Sequence, residues 1–152
     1  MLHRFFVMFF IFLGFLHFGV WASDQNSPIG KWRTIDDKTG KQKSVVEIYE
    51  EHGELKGKIL KLIPTEGEDI STKKCNQCPG EFKDQPILGM VFLWGLKQEG
   101  NEYKNGSVLD PKNGRIYKAK IALEKNGKQL HVRGFIGVAL FGRTQIWLRD
   151  DE

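Results

Sequence analysis

Cysteine is scarce in this chain, confined to Cys75 and Cys78 in one Cys-x-x-Cys run. That excludes a disulfide-dense miniature scaffold, and with no second pair it supplies no four-thiolate zinc site. Histidine is nearly as rare: beyond the first twenty residues there are only His52 and His131, neither in a partnered motif. No hydrolytic triad is legible, and the glycines are dispersed among turns with no phosphate-cradling loop. Asp36-Asp37 and Asp150-Asp151-Glu152 have the spacing of neither a calcium loop nor a paired-carboxylate hydrolase. No catalytic residue, metal or cofactor is therefore expected, and the chain reads as a non-enzyme. A block of basic charge is missing too. The net charge is +4, and Lys56, Lys58 and Lys61 alternate with Glu47, Glu50, Glu51 and Glu54 as solvated strand faces do, which argues against a nucleic-acid partner. Beyond the N-terminal segment no stretch keeps a 3.6-residue apolar period over three turns, so helices are not expected.

What is present begins with phenylalanine. Seven of the eleven lie in the first eighteen residues. His3 and Arg4 precede an apolar run from Phe5 to Val20, and Val20-Trp21-Ala22 places small residues at the −3 and −1 positions of a cleavage site. Residues 1–22 read as a signal peptide. As an anchor the run is slightly short, holds Gly14 and His17, and lacks a basic stop-transfer cluster. The expectation is a single domain, residues 23–152, in the periplasm or secreted, with no stable membrane span after cleavage. It keeps 22 basic and 19 acidic side chains.

From Ser27 onward short alternating runs are broken by turn residues. Asn105-Gly106, Asn113-Gly114, Asn126-Gly127 and His52-Gly53 suit hairpin turns because both positions tolerate positive φ. The pattern predicts an all-β antiparallel meander of about eight strands. Closing it into a barrel removes the unpaired edges. Gly57, Gly134, Gly137 and Gly142, inside strand-like runs, suit the bends of such a barrel. One segment departs from the pattern: residues 64–86 form a long loop with no apolar period and both cysteines, as expected of a lid or a stapled insert.

Several segments together resemble the bacterial exported family DUF2147. They are Gly30-Lys31-Trp32-Arg33-Thr34, Cys75 to Gly80, Asp84 to Gly89, Leu93-Trp94-Gly95, Leu109-Asp110-Pro111, Asn113 to Tyr117, Arg133 to Gly137 and Gly142 to Trp147. The resemblance implies an exported β-barrel and supplies no activity. A weaker resemblance links the chain to lipocalin-like (calycin) barrels, which open on Gly-x-Trp and carry an arginine on the last strand over that indole. It implies that Trp32 plugs one end beneath Arg143 or Arg149, a structural pair held by cation–π attraction.

Three readings of Cys75 and Cys78 compete: a disulfide, a redox dithiol and a metal pair. A redox dithiol needs a following helix to lower its thiol pKa, but Pro79-Gly80 follows instead. The disulfide suits an oxidising compartment. Arg143, Gln145, Trp147 and Arg149 share one face of the last strand, and whether that face points inward stays open. If inward, Arg143 and Trp147 join Tyr49, Trp94 and Tyr117 as candidate ligand-binding residues. The function expected is an exported lipocalin-like protein holding a small apolar or amphiphilic ligand. The alternatives are an envelope interaction protein with a side-chain-filled barrel and a thiol–disulfide protein.

Overall fold

The computed structural model describes residues 26–70 and 72–151. The expected signal peptide and its cleavage site lie outside them. Eight strands, β1 (Gly30–Ile35), β2 (Gln42–Glu51), β3 (Glu54–Leu62), β4 (Val91–Glu99), β5 (Glu102–Asp110), β6 (Arg115–Glu124), β7 (Gln129–Phe135) and β8 (Gly142–Arg149), follow one another around a closed antiparallel barrel. Among the described residues no helix is long and apolar enough to cross a membrane. The one helical element among the described residues is a 3-10 turn, Gly80–Phe82.

The meander follows from local chemistry. Strands β2 and β3 alternate buried and part-exposed side chains, and their hairpin reverses at His52-Gly53, both at positive φ. Asn126-Gly127 reverses β6 into β7, and Asn113-Gly114 ends the turn from β5 to β6. Asn105-Gly106 does not form a turn. It sits inside β5, where Asn105 has φ 62° and the register with β6 shifts. A Cβ on Gly106 would strike the Leu96 side chain, so this Asn-Gly makes a bulge where one strand crowds the next. Gly137, expected within a strand, lies in the β7–β8 turn with φ 71°.

The long connection is not structureless. It runs from the end of β3 to Val91, and Lys74 bridges Pro86 within it. Cys75 and Cys78 are joined by a disulfide across a Cα–Cα distance of 5.4 Å. This strap packs against the outside of the wall: Phe82 stacks on Trp94 with centroids 5.4 Å apart. Cys75 Sγ lies 3.4 Å from the carbonyl oxygen of Pro111. Gly114, at φ +69°, leaves room for the backbone of Gln77 where any Cβ would collide. The strap thereby extends the apolar core, with Cys75, Cys78, Ile87 and Met90 belonging to the same buried cluster as the barrel interior.

The two ends of the barrel differ. One gathers the segment before β1, the turns at 52–53, 100–101 and 125–128, and the end of β8. The other gathers the turns 36–41, 111–114 and 136–141 and the strap.

Candidate functional site

The first end is sealed by Trp32. Its side chain is wholly buried, its indole N–H donates to the Pro28 carbonyl at 2.8 Å, and the Arg149 guanidinium lies 4.2 Å over its ring. Arg149, 6% exposed, donates to the carbonyls of Gly127 (2.5 Å), Ile29 (3.2 Å) and Ser27 (2.7 Å). A buried cation needs such acceptors, and here they tie the N-terminal segment, β8 and a turn into one plug. Above it Val46, Ile48, Leu93, Leu96, Ala119, Ile121 and Leu130 are each at most 1% exposed. These side chains pack together as one cluster across this half of the interior.

The other half is not sealed. Alternation from Trp32 puts Thr34 inward, bonded hydroxyl to hydroxyl with Ser44 at 2.6 Å. A Cβ on Gly134 would lie 3.5 Å from Val108 and 3.7 Å from Tyr117, so these three face one another inside. Phe92 meets Trp147 across the interior at 6.0 Å between centroids. Gln145 Oε1 accepts from the Trp147 indole at 3.3 Å, and Asn113 Nδ2 donates to the Tyr117 hydroxyl at 3.2 Å. Together these side chains line the mouth end of the interior, here called the cup, over about two strand residues, or roughly 7 Å. Its wall is Val108, Phe92 and the Tyr117 ring, and its polar points are Thr34, Ser44, Gln145 and the Tyr117 hydroxyl. Arg143 stands at the rim and pairs with Asp37 of the β1–β2 turn.

A family model, Uncharacterized protein conserved in bacteria (DUF2147), matches residues 30–149, the whole barrel from β1 to β8. The chain belongs to this family. A search of the curated proteins gives no match. Among solved structures the DUF2147 barrel is similar to protein HP1028 from the human pathogen Helicobacter pylori, described as belonging to the lipocalin family. The TM-score is 0.69 at 24% identity, covering 82% of this chain and 83% of that one. The likeness supports the lipocalin-like architecture.

Within the DUF2147 barrel the last strand turns its Arg143, Gln145, Trp147 and Arg149 face inward, since Gln145 pairs with Val132 and Trp147 with Leu130. Of the two arginines, Arg149 covers Trp32 and Arg143 does not. Tyr117 lines the cup and Trp147 lies at its floor. Two candidates fall elsewhere. Tyr49 is on the outer face of β2, between inward Ile48 and the β2–β3 turn, with Lys58 Nζ 5.7 Å from its ring centroid. Trp94 is outside as well, under Phe82, because positive-φ Gly95 lets both Leu93 and Leu96 turn inward around it. Thr34, Ser44 and Val108 were not singled out beforehand. Thr34 could have been found by counting two residues on from Trp32. His52 is exposed at its turn and His131 faces outward, opposite Ile146. Among the described residues no group of metal-ligating side chains gathers. Outside the barrel, beside its mouth, an open groove of about 500 Å³ runs between Phe82, Pro86, Leu88 and Met90.

Proposed function

We propose that the protein is exported and holds one small amphiphile in the cup, without catalysing a reaction. The carrying observation is the gradient along the barrel axis: interior side chains are wholly buried from Trp32 to Ala119, then half-buried at Thr34, Val108, Tyr117 and Gln145. A cup this shallow favours a compact ligand over a long enclosed acyl chain. Its apolar part would pack on Val108, Phe92 and Tyr117, and its polar part would find the hydroxyls of Thr34 and Ser44 and the amide of Gln145. The cup wall holds neither histidine nor carboxylate, and Ser44 is bonded to another hydroxyl rather than to a base, which supports binding over hydrolysis. The Cys75–Cys78 disulfide is buried under the strap, 0% and 3% exposed, which gives a thiol-exchange partner no approach. Export rests on the signal-peptide pattern of residues 1–22.

The test is a titration with a dansylated short-chain carboxylic acid, read by energy transfer from tryptophan. Saturable binding is expected, weakened by Tyr117→Ala and abolished by Val108→Trp, which fills the cup. Leu88→Glu, in the outer groove, should leave it unchanged. Binding lost with Leu88→Glu and kept with Val108→Trp would move the site to the groove. No saturable binding at all would overturn the reading in favour of an interaction protein.

A further inference from the structure

The β7–β8 turn has an unusual distribution of polar and apolar groups. Ile136, Val138, Leu140 and Phe141 are 64%, 59%, 80% and 75% exposed, within one turn of the chain. Scattered exposed hydrophobics need no explanation, but a contiguous group of large ones does. The turn is held in shape from below. The Arg133 guanidinium donates to the carbonyls of Ala139 at 2.7 Å and Leu140 at 3.2 Å and to the Thr144 hydroxyl at 2.8 Å. Phe141 N–H closes on the Val138 carbonyl at 3.1 Å, and Lys118 Nζ reaches the Gly137 carbonyl at 3.5 Å. The backbone is thus satisfied while the apolar side chains stand in water.

The two strands that bear the turn bring it charge of one sign. Residues 129–148 include Arg133 and Arg143 and no aspartate or glutamate. Lys118 adds another cation beside the turn, and on the neighbouring β1–β2 turn Asp37 is already paired with Arg143 and Asp36 with Lys43. The turn also projects from the open end of the barrel, beside the cup.

We propose that turn 136–141 inserts into the surface of an anionic lipid bilayer and seats the mouth of the barrel against it. Apolar side chains entering the acyl boundary with arginine and lysine at headgroup level are the pattern of an interfacial anchor. A protein partner fits less well, because a stable protein interface recruits roughly 20–30 residues a side and this turn offers a small fraction of that. The inference does not require the cup to hold a ligand.

The experiment is flotation of residues 23–152, which contain every strand of the closed barrel, with vesicles of phosphatidylglycerol and phosphatidylethanolamine. Vesicles of phosphatidylcholine alone serve as the uncharged comparison. Binding to the anionic vesicles is expected, several-fold weaker on phosphatidylcholine or in high salt. Leu140→Ser with Phe141→Ser should lower it at least tenfold, and Lys118→Glu several-fold. Near-UV circular dichroism and urea unfolding establish that the variants keep their barrel. Absence of vesicle binding, or equal binding by the double variant, overturns the proposal. So does a wild-type dimer in analytical ultracentrifugation that the double variant dissolves, with no lipid binding, since that assigns the turn to a second copy of the chain.

Discussion

Arg149 lies over Trp32, its guanidinium carbon 4.2 Å from the ring centroid, while its N–H groups face the carbonyls of Gly127 in one turn and of Ser27 and Ile29 before β1. The same side chain caps an indole and neutralises backbone acceptors that a closed barrel end would otherwise leave unpaired. Trp32→Ala should cost roughly 3–5 kcal/mol in urea unfolding, as a large-to-small change in a filled interior. Arg149→Lys should lose several of the carbonyl bonds, because a point ammonium cannot reproduce the planar fork. Losses within about 0.5 kcal/mol for Trp32→Ala, the range of an exposed site, would refute the plug.

The disulfide predicts little stability and much protection. A ring closed over so few residues contributes about 2 kcal/mol in the chain-entropy picture. Both sulfurs are buried, so labelling of the folded protein with a thiol reagent after mild reductant should be slow and should follow unfolding of the strap. Rapid reduction with insulin-reductase activity would instead establish a redox role.

Gly114 reports on the seating of the strap. Gly114→Ala meets both a left-handed φ of +69° and the backbone of Gln77, and should destabilise by about 2–5 kcal/mol. A near-neutral result in urea unfolding would mean that the strap does not rest on the β5–β6 turn.

Asp36 gives a pH dependence with a definite sign. Its carboxylate accepts from the Thr39 amide first, and also from the Lys38 amide and Thr39 hydroxyl, with Lys43 nearby, which lowers its pKa from 3.8 to about 2. A folded pKa below the unfolded one stabilises the turn fully above about pH 4, and that contribution fades as pH falls toward 2. The Thr39 amide resonance should titrate with a midpoint near 2, and Asp36→Asn should abolish the step. A midpoint near 4 would mean the amides do not hold the carboxylate.

Export is checked directly. Intact mass of the protein recovered from the periplasm or medium of a bacterial host should begin at Ser23; retention of residues 1–22 would contradict the signal peptide.

Strand number, order and closure were legible because turns and alternation are local properties, and the Trp32 plug followed from family resemblance. Parity was harder to read. The run Ile87 to Trp94 is nearly continuous in apolar residues, so no alternation says which side each faces, and the bulge at Gly95 moves Trp94 outward. Tyr49 was misplaced although Val46 and Ile48 already fix its face. On β8 the inward set is the more polar one, Arg143, Gln145, Trp147 and Arg149, the reverse of the usual hydrophobic rule. Only the pairing of Trp147 with Leu130 and of Arg149 with Trp32 decides it. Asn105-Gly106 has turn chemistry in a strand because a bulge and a hairpin reversal need the same positive φ.

Strands β1 and β8 register only at Trp32 with Arg149 and at Arg33 with Leu148 among the described residues, whereas β7 follows β8 along its whole length. Toward the mouth the seam is an unlaced slit, crossed near its top by Arg143 reaching Asp37. The barrel is therefore hinged like a purse: at its base, opening means uprooting a buried indole, while at its lip it means parting one solvent-exposed ion pair. Widening of the mouth should begin at that clasp, and added salt should loosen it before any strand is lost.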